Sequence, residues 1–363
     1  MPDVKYALGA EMINSVQGYV RMPLLYKHWY VAGTVDEFGR EPTARTLLEH
    51  SIVFYRTEAG ELTALQNRCL HRSFPLSEAR KDGDNLVCRY HGARYSPEGK
   101  LLTIPCQKAT PDRALRKYPV LEKGPFVFIW MGEGEPELAK LDLLSYLEDP
   151  SFRKVHGNLE IEGSYLLMQE NLNDQSHFAF LHQDSFGVEE EFAETPVKIV
   201  KSGDRVASLR SESNTQIVLA GLIPGNFRAN LAGKNLVRWD ESYSISPGVF
   251  LTHLWTFIDD ETEITPETMQ VYIVHYLTPV TKNSCLYWWS VAINHGQDDD
   301  AFFEGLPIFL NKGFREDVWA CSLMQGLLDQ DKTAFKELNI SGDNAGLYFR
   351  KIMLDWAKSE YRN

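Results

Sequence analysis

The chain has 363 residues, 44% hydrophobic and 24% charged, the balance of an ordinary globular protein with material for two domains or one large one. Its 50 acidic and 37 basic residues give a formal net charge of −13, which argues against a nucleic-acid surface. No stretch approaches the ~20 apolar residues of a membrane helix, and MPDVKYALGAEM has neither the basic nor the apolar region of a signal peptide, so a soluble cytoplasmic protein is expected.

From about Trp29 to Met131, the runs WYVAGTV, SIVFYRT, LTALQN, LVCRY and FVFIWM carry the β-branched and aromatic bias of strands, separated by turns. Gly132-Glu133-Gly134-Glu135-Pro136 breaks this pattern. The expected organisation is an N-terminal extension over 1–24, an all-β domain over 25–135 and a second domain over 136–363. Beyond the boundary, strand-like segments (KVHGNLEIEG, VASLRSES, NLVRWDESYSI, VFLTHLWTFI, MQVYIVHYLTP, CLYWWSVAIN) surround one early helix from Leu166 to about Leu181. From Asp300 onward the tail reads as helical, with Phe309, Phe314, Val318, Cys321, Met324 and Leu328 recurring at helical spacing. Antiparallel strands with one inserted and one terminal helix make this second domain α+β.

Two motifs carry chemistry. Cys69-Leu-His71 and Cys88-Arg-Tyr-His91 are matched knuckles, each offering one thiolate and one imidazole and each followed by turn formers. Zinc fingers usually pair cysteines on one knuckle and histidines on the other, whereas mixed knuckles suit a [2Fe–2S] cluster with cysteines on one iron and histidines on the other. A zinc ribbon is the alternative. The remaining cysteines, Cys106, Cys285 and Cys321, are widely spaced in largely apolar contexts and read as reduced, buried thiols. On the early helix, Asn171-Leu-Asn-Asp174-Gln-Ser-His177-Phe-Ala-Phe-Leu-His182 brings two histidines close in sequence. On a regular helix they diverge by about 140°, so a widened turn or an unwound end is needed before both can meet one ion. A carboxylate would complete a 2-His-1-carboxylate face for Fe(II). Spacing alone does not separate Asp317, Glu316 and Asp331.

The run NRCLHRSFPLSEARKDGDNLVCRYHGARYSPEGK closely resembles the cluster-binding segment of the Rieske non-haem iron oxygenases. It departs from the common pattern at Leu70, Arg89, Ala93 and Tyr95, where proline, proline, tryptophan and phenylalanine are frequent. The likeness extends from Trp29 to about Asp331. It implies an α+β chain: an N-terminal all-β Rieske [2Fe–2S] domain and a C-terminal antiparallel-sheet catalytic domain with helices, of the helix-grip kind. It also implies cluster ligands Cys69, His71, Cys88 and His91, and iron ligands His177, His182 and Asp317. Asp174 would bridge His91 of one subunit to His177 of its neighbour by accepting from both rings, with Asn171 near the iron. Such a bridge calls for a head-to-tail homotrimer.

No dinucleotide fingerprint is present, so electrons from NAD(P)H would arrive through a separate ferredoxin or flavin reductase. The compact length and the spacing EN-x-x-D-x-x-H-x-x-x-x-H resemble the smaller monooxygenases, the group of the vanillate and dicamba O-demethylases. That likeness implies O2-dependent O- or N-demethylation of an aromatic compound: the carbon beside the heteroatom is hydroxylated, and the hemiacetal or hemiaminal collapses to aldehyde plus phenol or amine. Plain hydroxylation of a ring, side chain or alicyclic compound is the alternative; a Rieske electron carrier without catalysis is the alternative of another class. His275, in His275-Tyr-Leu-Thr-Pro, is expected to line the substrate pocket, and Ile308 to stand where the dicamba enzyme has an aromatic residue against its ligand. Trp255, Trp288 and Trp289 are expected to help form an apolar cavity, and GLIPGNFRANLAGKN its cover.

Overall fold

In the computed structural model of the chain, residues 8–187, 190–202, 205–213, 220–225, 227, 234, 236–258, 261, 263–333 and 335–361 are described. They form two compact units. One is Tyr26–Glu137; the other is Leu138–Asn363 together with the chain up to Leu25.

The first unit is built from three antiparallel sheets. Strands β1 (Trp29–Thr34), β10 (Val120–Lys123) and β11 (Phe126–Trp130) lie in the order β1-β11-β10. A second sheet orders β2 (Thr43–Leu47), β3 (His50–Arg56), β4 (Leu62–Gln66) and β9 (Lys117–Tyr118) as β2-β3-β4-β9. The third runs β5 (Arg80–Asp82), β6 (Asn85–Val87), β7 (Arg94–Tyr95), β8 (Leu101–Thr103). Its strands are only two or three residues long, so propensity had little to act on. The β2–β3 hairpin turns through Leu48 and Glu49, both at positive φ (48° and 63°). That backbone favours Asn-Gly; here full burial of Leu48 accompanies the unfavourable geometry.

The second unit holds one antiparallel sheet of β12 (Arg153–Ile161), β13 (Lys198–Ser202), β14 (Arg205–Ser213), β15 (Leu236–Ser246), β16 (Val249–Ile258), β17 (Met269–Thr281) and β18 (Ser284–Ile293). Its order is β12-β18-β17-β16-β15-β14-β13. With the first strand returned to the far edge beside β18, the long excursion between β12 and β13 is free to carry the helical segments that face the sheet. Among the described residues the helices include α1 (Val16–Tyr19), α2 (Tyr165–Asn173), α3 (Phe178–Leu181), α4 (Asp300–Gln330) and α5 (Asn344–Tyr361). α4 packs on β12 and α2, and α2 packs on β17.

Two helical expectations change. The single helix expected over 166–181 is broken at Asp174, whose backbone is extended (φ −112°, ψ 101°) and whose side chain accepts from Ser176 N. Local side-chain bonding of this kind competes with helix. On α4 the buried face is Phe303, Leu306, Leu310, Phe314, Asp317, Cys321 and Gln325. Met324 is exposed although it lies about 20° from Asp317 around the helix. Of the three thiols expected to be buried, Cys285 and Cys321 are, and Cys106 is exposed.

The N-terminal segment is tied to the C-terminal helix and to the segment just before it. Val16 N donates to Glu337, and Tyr361 Oη donates to Leu24 O at 2.7 Å. Arg350 of α5 grips Glu170 of α2 through Nε and a terminal nitrogen, at 2.9 and 2.6 Å.

Candidate active site: a cluster-binding loop pair and a buried metal triad

The two Cys/His knuckles fold as copies of each other. In the first, Cys69 N donates to Phe74 O (2.9 Å) and Ser73 N to Cys69 O (3.0 Å); in the second, Cys88 N donates to Ala93 O (2.8 Å) and Gly92 N to Cys88 O (2.9 Å). The fourth residue after each cysteine is left-handed, Ser73 at φ 60° and Gly92 at φ 72°. Both thiols are buried, and the two imidazoles converge with Nδ1 atoms 3.1 Å apart at an exposed edge. Two sulfurs inside and two ring nitrogens outside, on rigid matched loops, fit the donor set of a Rieske cluster. Tyr95 adds a feature its sequence position did not reveal. Its hydroxyl accepts from Leu70 N at 3.0 Å, which aims its proton at Cys69 Sγ, 3.3 Å away. Burial, and then the bond to Cys69, push the Tyr95 pKa up, so the phenol stays protonated.

The second site assembles from both ends of the catalytic unit. His177 ends a 3₁₀ turn (Gln175–His177) and His182 is the C-cap of α3, so the pair sits on an unwound helical junction. Their ligand atoms and those of Asp317 all lie within 4.8 Å of one another. Asp317 Oδ1 is 3.3 Å from His177 Nε2 and 3.1 Å from His182 Nε2, and it accepts from Asn171 Nδ2 at 3.0 Å. Both rings are held from behind. His182 Nδ1 donates to Glu316 Oε2 at 2.8 Å, an oxygen that also accepts from Ser185 Oγ at 2.6 Å, and His177 Nδ1 donates to the main-chain carbonyl of Asp174.

With Nδ1 carrying the proton in each ring, both Nε2 lone pairs aim at a carboxylate. His182 Nε2 is fully buried and makes no hydrogen bond despite its nearness to Asp317. Asn171 Nδ2 is the one donor among these groups, on Asp317 at 3.0 Å and 3.5 Å from His177 Nε2, and His182 Nε2 has none; two imidazole lone pairs and an anion converging in this way fit a divalent cation. Burial opposes ionisation here, yet Asp317 and Glu316 together raise the His182 pKa, and the two histidines hold the Asp317 carboxyl well below the usual carboxylate range. Glu316 is therefore an orienting group and Asp317 the facing carboxylate; Asp331 merely caps α4 and is exposed. Spacing alone left these acids unseparated; the packing of α4 separates them, because Asp317 falls on the buried stripe of Phe303, Leu306, Leu310 and Phe314, and Glu316 sits ~100° away from Asp317.

One expected contact differs. The link between Asp174 and His177 runs through the main chain, because the Asp174 carboxylate is occupied as a cap on Ser176 N at 2.9 Å.

Above the triad is a cavity enclosed by α2, α3, α4 and strands β15–β17. Its apolar wall includes Phe178, Phe250, Leu254, Ile273, Leu310 and Phe314. His275 lines it, with Nδ1 2.6 Å from the Tyr287 hydroxyl, and burial lowers its pKa to about 4, so the ring is neutral. Trp255, Trp288 and Trp289 do not line this cavity; Trp289 packs behind Phe314 at 5.5 Å between ring centroids. Ile308 is 76% exposed and faces away from it. Most of the expected cover, 221–235, lies outside the described residues.

Sequence reading also missed Arg238 and Asp240, which line the cavity while 4% and 3% exposed. Arg238 Nε donates to Asp240 Oδ1 at 2.6 Å, and a second nitrogen donates to Oδ2. They open an inward polar row on β15 that continues through Ser242, Ser244 and Ser246. Ser242 accepts from Gln175 and Ser244 donates to Asn173, so part of this row fastens the metal loop to the sheet. The alternating pattern of WDESYSIS was legible, but its polar face pointed inward.

Fold and site together define the oxygenase component of a Rieske non-haem iron system. Comparison with known proteins gives the family: residues 28–119 match the Rieske [2Fe-2S] domain, and residues 161–359 match the vanillate O-demethylase oxygenase C-terminal domain. A vanillate O-demethylase oxygenase subunit from Pseudomonas sp. is 30% identical over 90% of this chain and 92% of its own. The oxygenase component of chloroacetanilide N-alkylformylase from Rhizorhabdus wittichii is 26% identical over 93% of this chain and 97% of its own. The crystal structure of dicamba monooxygenase bound to 3,6-dichlorosalicylic acid shares the fold, with a TM-score of 0.83 at 20% identity over 94% of this chain and all of that one. The chain belongs to the vanillate O-demethylase oxygenase family of Rieske oxygenases. As an oxygenase component it works with separate redox partners, and no helix among the described residues is long and apolar enough to cross a membrane.

Proposed function

We propose that this oxygenase removes an O- or N-methyl group, or a longer alkyl group, from a small aromatic compound, using O2 and electrons passed from NAD(P)H by a cytoplasmic ferredoxin or flavin reductase. The observation that carries the reading is the cluster of His177, His182 and Asp317, two of which, His182 and Asp317, line a mostly apolar cavity. Relatives named as an O-demethylase and an N-alkylformylase support dealkylation.

In this reading Cys69, His71, Cys88 and His91 hold the [2Fe–2S] cluster, and His177, His182 and Asp317 hold Fe(II). When bound, the cluster relays single electrons and the iron activates O2. The chain supplies position and dryness. Phe250, Leu254, Ile273 and Phe314 pack the aromatic ring and exclude water. With the Tyr287 hydroxyl donating to Nδ1 of His275, the Nε2–H of that ring is the donor for a substrate carbonyl or carboxylate. Arg238 and Asp240 meet the polar end of the substrate. Asn171, on Asp317, steadies the carboxylate.

Asp174 serves as the electron bridge, its carboxylate reaching His91 of a neighbouring subunit in a head-to-tail homotrimer. Its Oδ1 is taken by Ser176 N, and among the described residues Oδ2 has no donor, which leaves it for such a partner.

The test is a panel of methoxy- and methylamino-aromatics assayed with a compatible reductase for O2 uptake and aldehyde release. Formaldehyde stoichiometric with O2 is expected for at least one. Hydroxylated products without any aldehyde across the panel would replace demethylation with plain hydroxylation.

A further inference from the structure

We propose that Gly342 is a positioning residue for electron transfer: its missing side chain makes the space in which the Asp174 carboxylate sits. This rests on the bridge role of Asp174 proposed above. A Cβ at Gly342 would stand 2.5 Å from Asp174 Oδ1, 2.9 Å from Cγ and 3.1 Å from Ser176 Oγ. The carboxylate is thus confined between the Ser176 amide, which donates to Oδ1 at 2.9 Å, and the backbone of the turn before α5. The φ of Gly342 is not in the left-handed region. Conformational freedom therefore gives no reason for glycine here; close approach does.

The neighbouring residues agree. Ala345 is buried, and a Cβ on Gly346 would come within 3.4 Å of Glu170 Oε1, so the segment 342–346 lies close against 170–176 throughout. The Arg350–Glu170 pair, one turn further along α5, locks the two segments in that approach.

The obstruction has a particular quality. What an alanine methyl meets at 342 is mainly the end of a side chain, not backbone. The fold can accept the methyl by expelling the carboxylate, which loses the Ser176 amide and moves by about an ångström or more. A displacement of that size in a transfer path costs on the order of tenfold or more in rate. The Asp174 carbonyl on His177 Nδ1 belongs to the main chain and stays, so iron binding is kept.

The experiment uses the holoenzyme as wild type, Gly342→Ala, Asp174→Ala and the double variant. Each is checked for iron, sulfide and Tm, and hydrogen exchange is followed at the Ser176 amide. Each is then reduced, mixed with O2 and the substrate found by the panel, and followed by the visible absorbance of the cluster as it reoxidises. Gly342→Ala is expected to keep its metals and Tm, to speed exchange at Ser176, and to slow reoxidation on the order of tenfold or more. In the Asp174→Ala background it is expected to add nothing, because no carboxylate remains to be displaced. Unchanged exchange at Ser176, or wild-type reoxidation in Gly342→Ala while Asp174→Ala is slow, overturns the positioning role and leaves the bridge intact. Wild-type reoxidation in Asp174→Ala overturns the bridge itself. An additive loss in the double variant also overturns the proposal, since Gly342 would then act elsewhere.

Discussion

The two metal-binding regions are built on opposite plans. The cluster loops are local and repeated: four donors from a stretch of 23 residues, two knuckles with the same backbone bonds, imidazoles at an exposed edge. The triad is dispersed and single. Its histidines come from the break after α2 and its carboxylate from α4, 135 residues beyond His182, with His182 and Asp317 at 0% and 4% exposure. A site that meets an electron donor needs an accessible edge, whereas one that handles O2 needs burial, and burial requires tertiary packing to bring the ligands together.

Removing one ligand from each site should separate the two plans most strongly. Cys88→Ser is expected to abolish the visible cluster spectrum, and His182→Ala to keep it while losing the mononuclear iron. Both should lose turnover by on the order of a thousandfold or more, because the two centres act as a unit. Spectra, metal content and O2 uptake read all three effects.

Next in size is the packing that the dispersed site depends on. Arg350→Met leaves Glu170 without its cation on the helix that carries the metal loop. A loss of about 3 kcal/mol in urea unfolding is expected, whereas the same substitution at the exposed Arg40, paired with Asp84, should leave the urea midpoint nearly unchanged because solvent screens the pair. Glu316→Gln tests the support behind His182: iron affinity should fall about 10–100-fold with the cluster unaffected, measured by chelator competition.

The dispersed unit also carries the acid-sensitive core. Burial lowers His253 and His275 to about 4 each, against about 6.5 in the unfolded chain. The unfolded state therefore gains protons first as pH falls, so their contribution is intact above pH ~6.5 and drains away towards pH ~4. His253→Phe should flatten the fall in stability across that window by at most about 1.4 kcal/mol per pH unit, seen in urea midpoints against pH. The smallest effect belongs to the local site. Tyr95→Phe removes the hydroxyl on Cys69 Sγ and should lower the cluster potential on the order of 50 mV, read by redox titration.

This contrast also explains what was legible. Matched Cys/His knuckles declare themselves within one loop pair, and the long strands β15–β18 show in their β-branched and aromatic runs. The helix break at Asp174 depended on a side chain turning back on its own backbone, and the Leu48-Glu49 hairpin on burial overriding turn preference. Trp255, Trp288 and Trp289 suggested a cavity by size alone, yet the wall was made by Phe250 and Phe314, chosen by which face of the strand and helix turned inward. Arg238 and Asp240 were hidden for the same reason: the pattern gave two faces and only packing said which was inside.

The central claim, that each chain carries both centres on the residues assigned, is met most directly by counting metal. Wild-type protein loaded under reducing conditions should hold about three irons and about two acid-labile sulfides per chain, and Asp317→Ala should lose about one iron with sulfide and visible spectrum unchanged. Retention of all the iron in Asp317→Ala, or loss of sulfide along with it, would contradict the account.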